Sequence, residues 1–237
     1  MKQRILAAVL LLAVSLCGHA AEPRFTVVPV DTRTQKLELF LYDDHGAPFN
    51  NFERLKEWLE ARGRRLRFAM NAGMYQPDFS PVGLYVANGK QLAPLNMHNG
   101  SGNFSMKPNG VFFVNAEGPG IVESSRYVAL ASGVRLATQS GPLLLEHNQI
   151  HPGFDPNSKS LHIRNGVGVA GPLAYFVISN QPVNFYELAV YFRDQLHCPD
   201  ALYFDGSVSA LYAPDLGQED TPVDLGPIIG VVEEISP

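Results

Sequence analysis

Cysteine is nearly absent from this chain of 237 residues, which has only Cys17 and Cys198. Cys17 lies in an N-terminal segment that reads as removable. The mature chain then keeps one thiol and cannot form an intramolecular disulfide. It must be held by its core, which a domain of this length can supply. Charge is also sparse, at 17% of residues, and positive charge is the scarcer sign, with 18 Lys and Arg against 23 Asp and Glu. No basic run exists, so no nucleic-acid partner is expected. The stretch holding Arg62, Arg64, Arg65 and Arg67 is broken by apolar residues and reads as a helix end flanking a strand.

Several catalytic signatures are missing. The seven histidines form no H-x-H, H-E-x-x-H or Cys/His cluster, so no metal site and no cofactor are predicted. His151, Asp155 and His162 lie near one another in sequence, but their spacing fits no ligand geometry. No G-x-S-x-G elbow occurs, which argues against a serine hydrolase of the common α/β type. The loop "GSGNFS" (100–105) is glycine-rich but does not sit between a strand and a helix, so it is not read as a nucleotide loop. Its neighbours His98 and Asn99 could line a pocket, but a plain flexible loop is the first reading. Cys198 ends a helix, where the dipole raises a thiol pKa, and reads as a buried apolar residue rather than a nucleophile.

What is present begins with a basic start, "MKQR", an apolar core, "ILAAVLLLAVSL", and small residues up to Ala20. This reads as a signal peptide over residues 1–20, with a periplasmic or secreted mature protein and no membrane span after cleavage. Anchoring as a lipoprotein through Cys17 is the weaker reading, because Leu16 is bulky where a small residue is expected. Removing Lys2 and Arg4 with this segment takes the net charge from −5 to −7. Residues 21–237 show no linker, repeat or composition shift and read as one domain.

Two helices are predicted. "NNFERLKEWLEARG" carries Phe52, Leu55 and Leu59 at helical spacing, a cap at Asn51 and a stop at Gly63. "NFYELAVYFRDQLH" opens on a capping box, Asn184 with Glu187. The remainder reads as strands. Residues 24–31 and 36–43 alternate around a short turn and are expected to form a hairpin. Asn88-Gly89 marks a second hairpin and Gly171-Pro172 a third. With no strand–helix rhythm, the fold class is α+β: a single domain with a mixed, mostly antiparallel sheet core and a few flanking helices.

Four apparent strands stop at small or polar residues. "FAM" gives way to Asn71-Ala72-Gly73, "VALASGVRLATQ" to Ser140-Gly141-Pro142, "SLHI" to Arg164-Asn165-Gly166, and "ALYF" to Asp205-Gly206-Ser207. Such turns can aim backbone N–H groups at an anion, and glycine admits a ligand close to the chain. An arginine adds a planar charged fork and an aspartate an acid or base.

"NAGMY", "SGPLLL", "HIRNGVGV" and "YFDGSVSALY" resemble, in order and approximate spacing, N-A-G-F-F, G-G-P-L-L, R-T-A-I-G and D-G-G-G-S of the phosphodiester glycosidase family. That family includes the lysosomal uncovering enzyme, which removes N-acetylglucosamine from a phosphodiester on mannose 6-phosphate. The resemblance covers about residues 65–213, and within the family the chain is most similar to an uncharacterised bacterial branch. It implies Asp205 and Arg164 as catalytic residues. It implies Asn71, Gly73, Gly141, Pro142, Gly206 and Ser209 at the substrate, with Asn165 and Ser207 at positions where the family pattern differs. Asn165-Gly166 stands for Thr-Ala, and Ser207-Val208 for two glycines.

The implied reaction is hydrolysis of a sugar-1-phosphodiester by an exported enzyme acting on envelope or exopolysaccharide-derived glycans. Arg164 would pair the phosphate bidentately, with Lys107 as a second cation for it. Asp205 would stabilise an oxocarbenium-like state. The partner acid is Glu146 or Asp155, between which spacing does not choose, and cleavage at carbon or at phosphorus stays open. The alternative is a non-catalytic glycan- or envelope-binding protein on the same fold. Asn71, Gly141, Arg164 and Asp205 are expected to line one cleft.

Overall fold

The computed structural model describes residues 23–206, 208–220 and 223–235; the segment expected to be a signal peptide, Cys17 and Ser207 lie outside that description. Strands and helices are numbered in chain order. A six-stranded sheet runs β1 (Phe25–Asp31), β12 (Leu173–Ser179), β11 (Asn165–Ala170), β13 (Asp200–Tyr203), β9 (Leu143–Glu146), β10 (Gln149–Ile150). A five-stranded sheet runs β15 (Gln218–Asp220), β14 (Leu211–Ala213), β3 (Arg64–Asn71), β16 (Ile228–Glu234), β2 (Leu37–Phe40). A second five-stranded sheet runs β5 (Lys90–Ala93), β4 (Tyr85–Ala87), β8 (Leu136–Ser140), β6 (Gly110–Asn115), β7 (Gly118–Glu123). The pairings between these strands are antiparallel.

The three sheets share one core. Phe176 on β12, Leu202 on β13, Phe68 and Met70 on β3, Tyr85 on β4 and Phe112 on β6 all enter it. The alternate residues of each strand face outward and need a cover. Helix α1 (Phe52–Glu60) covers the second sheet with Phe52, Leu55 and Leu59, each buried and worth about 1.5–3 kcal/mol. Its cap is the predicted one: the Asn51 side chain accepts from Arg54 N–H at 2.9 Å. Helix α3 (Phe185–Val190) covers the first sheet with Leu188 and Ala189 and carries the Asn184–Glu187 capping box. It widens into a π turn over Tyr191–Gln195 instead of running regularly to His197, which seats Phe192 in the same cluster. A four-residue helix, α2 (Ser124–Tyr127), packs Tyr127 on the outside of the third sheet.

A bulge in β3 sets which way its side chains point. Val231 of β16 pairs Phe68 while Val232 pairs Leu66, so Arg67 is the extra residue. The slip puts Leu66 and Ala69 on the α1 side and Phe68 and Met70 in the shared core. The strand then delivers Asn71 at the seam between two sheets.

Three local expectations are corrected. The segments 24–31 and 36–43 do not form a hairpin: β1 pairs β12 and β2 pairs β16, in different sheets. The turn between them is well formed, with Gln35 N–H donating to Asp31 O at 2.8 Å, but turn chemistry is local and does not choose a strand's partner. "SLHI" is not a strand before Arg164; apart from an isolated bridge of His162 to Val183, the strand begins after it, at Asn165. The segment before "VRLATQ" is α2 and a 3-10 turn, Val128–Leu130. The Arg62–Arg67 stretch does flank a helix end and a strand, and three of its four guanidinium groups pair with carboxylates: Arg62 with Asp44, Arg64 with Glu38, Arg67 with Asp215.

Candidate active site

β13 and β11 lie side by side in the first sheet, with Tyr203 opposite Gly166. Gly166 is there for a reason: a Cβ would stand 2.5 Å from the Leu202 carbonyl oxygen. One residue beyond, Asn165 exchanges backbone bonds with Phe204 and Asp205, at 3.1 and 3.3 Å. The chain then crosses from the first sheet to β14 of the second through residues 205–210. Two buried asparagines hold that crossing. The Asn165 side chain accepts from Asp205 N–H at 3.1 Å and donates to Asn71 Oδ1 at 2.6 Å. Asn71 Oδ1 also accepts from Ala210 N–H at 2.9 Å, and Asn71 Nδ2 donates to Val208 O at 2.6 Å. Ser209 Oγ lies 2.9 Å from Asp205 O and 3.1 Å from Ile163 O and can donate its one proton to either. The result is a splint on both sides of Asp205.

Asp205 opens onto a cleft of about 660 Å³. Its Oδ1 accepts from Gly206 N–H at 2.6 Å. One wall is Met74, Tyr75 and Gln76, which lie just beyond β3; the opposite wall is the loop from Asn96 to Ser105. Tyr75 donates its hydroxyl to Asp224 O at 2.6 Å. Burial, then the charges of Asp205 and Asp224, raise its phenol above the ordinary value, so it stays protonated. The loop wall is anchored by the buried Gln139, whose Oε1 accepts from Asn96 N–H at 2.8 Å and whose Nε2 donates to Asn96 O at 2.7 Å. Asn109 Nδ2 holds the far end through Phe104 O at 2.9 Å. Polar groups with few charges, beside one carboxylate, suit a hydroxyl-bearing substrate.

Arg164 is placed differently from the expectation. It is 1% exposed and lies behind the cleft wall, not on it. Its Nε donates to Val183 O at 2.9 Å, Nη2 to Ser160 O at 3.0 Å and Nη1 to the Tyr203 hydroxyl at 3.2 Å. The guanidinium stacks 3.8 Å from the Phe185 ring. Burial lowers its pKa, offset in part by Tyr203. Tyr203 is itself pushed up by burial against the opposing effect of Arg164, and the side chain of Asn103, a cleft residue, also interacts with its phenol. Arg164 thus reaches the cleft only through Tyr203, whose hydroxyl packs against the Gly206 turn beside Asp205.

The other predicted positions divide in the same way. Asn71, Asn165 and Ser209 hold the Asp205 crossing from behind. Gly73 has φ +138° and would bring a Cβ to 3.1 Å from Thr138 Oγ1. Gly141 supports the loop wall from beneath, since a Cβ would stand 2.6 Å from Asn109 Cβ, and Pro142 O accepts from Tyr203 N–H at 3.2 Å. Gly206 packs against the Tyr203 hydroxyl. Lys107 is exposed and donates to Met97 O at 2.9 Å, bracing the loop wall rather than lining the cleft. Of Asn71, Gly141, Arg164 and Asp205, only Asp205 lines the cleft. Asn71 and Arg164 are consumed in satisfying buried backbone groups, which a packed core requires, and Gly141 in close packing.

Neither proposed partner carboxylate is in the cleft. Glu146 pairs with Arg126 beside a separate pocket, and Asp155 is exposed and accepts from Asn157 N–H at 2.8 Å. His98 and Asn99, for which the sequence left a pocket-lining reading open, and the "GSGNFS" loop line the cleft together with Tyr75 and Gln76. Their signal was a run of small polar residues between a hairpin and a strand. Cys198 is buried, and burial with the nearby Asp200 pushes its thiol up to about 12, so it is no nucleophile. Among the described residues no group of three or more His, Cys, Asp or Glu is arranged to hold a metal ion, and no helix is long and apolar enough to cross a membrane.

Fold and site together define an α+β protein of antiparallel sheets that carries a carboxylate into a polar cleft. The chain belongs to the phosphodiester glycosidase family, whose model matches residues 64–226. It is 35% identical over 195 residues to the uncharacterised protein YigE of Escherichia coli, covering 81% of this chain and 76% of that one. It is similar in structure to the catalytic domain of zebrafish N-acetylglucosamine-1-phosphodiester alpha-N-acetylglucosaminidase, auto-inhibited by its pro-peptide. That likeness has a TM-score of 0.57 at 12% identity, over 90% of this chain and 85% of the other. A hypothetical protein from Synechocystis gives a TM-score of 0.52 at 15% identity, over 88% of this chain and 59% of that one. These two structural likenesses speak to the fold.

Proposed function

We propose that this protein is an exported glycosidase that hydrolyses a sugar-1-phosphodiester, with envelope or exopolysaccharide-derived glycans as the substrate class. The carrying observation is Asp205, delivered into a polar cleft by a splint of two buried asparagines. Such fixing lets a carboxylate act with little reorganisation. In this reading water adds to the anomeric carbon as the bond from that carbon to the phosphate oxygen breaks. Asp205 stabilises the positive charge that develops on the sugar ring. The phosphate monoester leaves and the sugar gains the hydroxyl.

The remaining cleft groups have roles that accord with their chemistry. Tyr75, Gln76, His98, Asn99 and Asn103 offer hydrogen bonds to sugar hydroxyls and to the singly charged phosphate. Arg164 is a positioning residue: it holds Tyr203, whose hydroxyl packs against the Gly206 turn. The test offers purified mature protein a panel of sugar-1-phosphodiesters in oxygen-18 water. Label is expected in the free sugar, and Asp205→Asn is expected to lower turnover by about 100-fold or more with folding retained. Label in the phosphate would reassign the cleavage to phosphorus. Saturable binding without turnover would make this a glycan-binding protein.

A further inference from the structure

A second groove, of about 460 Å³, lies between α1, β2 and the β4–β5 hairpin. It shares no lining residue with the Asp205 cleft. Its aromatic residues include Tyr42, Phe49, Trp58 and Tyr85, and Glu38 with Arg64 form its polar side. The volume falls within the ~300–1,000 Å³ of small-molecule sites.

Three residues lining this groove carry a buried polar atom with no hydrogen-bond partner: Arg64, whose Nε faces Glu234 at 3.5 Å, and two neutral groups out of keeping with a plain core. Tyr85 is 0% exposed, and its hydroxyl has no hydrogen-bond partner among the described residues. The Trp58 indole N–H is buried and has none either. Buried donors in folded proteins are almost always paired, and phenylalanine would fill the place of Tyr85 at no such penalty. Both donors belong to residues that line the same groove but are closed to solvent in it, so side chains at its mouth must shift for one ligand with acceptor oxygens to serve both. Tyr42 stands at the mouth, 41% exposed, near enough to Tyr85 to influence its phenol.

The charges indicate what kind of oxygen. Glu38 and Asp44 are balanced by Arg64 and Lys90 within the groove. Glu38 is already bridged by Arg64 and by Lys36 at 2.9 Å, and Asp44 by Arg62. No uncommitted pair of like charges selects an ion. An uncharged ring rich in hydroxyls fits: its oxygens accept from the indole and phenol, its hydroxyls donate to Glu38, and its apolar face lies on Tyr42. Trp58 contributes its N–H rather than its ring, because Arg62 stacks 4.1 Å from that ring and Phe49 packs edgewise at 5.3 Å. We infer that this groove is a second saccharide-binding site, for a neutral sugar unit, independent of the chemistry at Asp205.

Trp58 is the only tryptophan, so its emission reports on this groove alone. The full mature chain is titrated with maltotriose, cellotriose and chitotriose. At least one is expected to change the emission saturably, with a Kd of about 1 mM. Asp205→Asn should leave that titration unchanged, which separates this site from the proposed reaction. Tyr85→Phe should weaken binding about fivefold or more while the free protein melts no lower than the parent. A hydroxyl with a merely structural role would give the opposite pair of results. Tyr42→Ala, at the rim, should weaken binding without touching the core. No saturable change with any of the three sugars up to about 50 mM would overturn the inference. So would a change that both tyrosine variants leave intact, or one that Asp205→Asn abolishes.

Discussion

Gly206→Ala is the substitution whose effect can be worked most directly from the structure. A Cβ there would stand 2.1 Å from the Tyr203 hydroxyl oxygen and 3.3 Å from Arg164 Nη1. Gly206 is not in the left-handed region, so the cost is one of space alone. Tyr203 has nowhere to retreat: it is 0% exposed, packs edge-on to Phe185 at 4.7 Å and accepts from Arg164 at 3.2 Å. Overpacking costs about 1–3 kcal/mol and the lost charged hydrogen bond about 1.5–3, giving a destabilisation of about 2.5–6 kcal/mol. With a urea dependence of about 2 kcal/mol per molar, the unfolding midpoint should fall by about 1.3–3 M. Tyr203→Phe removes the clashing oxygen and leaves the ring carbon at 3.3 Å. Alone it strands an Arg164 N–H and destabilises. Combined with Gly206→Ala, it should show a favourable coupling of about 1–3 kcal/mol. Unfolding of Gly206→Ala within about 0.5 kcal/mol of the parent would refute this account of the turn, as would simple additivity of the two changes.

Two other parts of the fold give measurable outcomes. Asn165→Ala leaves Asp205 N–H buried without its acceptor and cuts the link to Asn71, so unfolding free energy should drop by about 2–4 kcal/mol, read by denaturant titration. An unchanged midpoint would mean the splint is not what holds the crossing. His151 lies stacked at 4.6 Å on Phe154, and its Nδ1 accepts from Gly153 N–H at 3.0 Å. Burial lowers its pKa below the ordinary 6.5, so below that pH the unfolded chain takes up a proton that the folded chain resists. Stability should therefore fall as pH drops from about 7 towards 5, and His151→Phe should flatten that slope. An equal slope in the variant would place the titrating group elsewhere.

Much of the secondary structure was legible because it rests on neighbours in sequence. The Asn51 cap, the Asn184–Glu187 capping box and the Asn88-Gly89 turn all form as their spacing indicates. Pairing partners were not legible in the same way. Residues 24–31 and 36–43 have the alternation of a hairpin, yet each completes a different sheet, because a strand pairs with whichever edge the rest of the chain presents. The same limit acts at the site. Asn71, Arg164 and Asp205 were identifiable as residues with no evident structural duty, and they do converge. Which of them faces a ligand depended on where the buried backbone groups needed partners, and those needs are set by the sheet seam. Loop residues such as His98 carry no pattern of their own and gain their place from Gln139, a buried side chain on another strand.

The amino-acid sequence by itself determined the α+β class, the helix caps and turns, and the family, since four separated motifs survive as short local strings. Only the tertiary structure decided that Asp205 opens onto a cleft while Arg164 stands behind it. The physical reason is that exposure and hydrogen-bond satisfaction are properties of the whole packed core. Two polar residues of equal promise in the chain become one cleft-lining carboxylate and one brace behind the wall only when three sheets close around them.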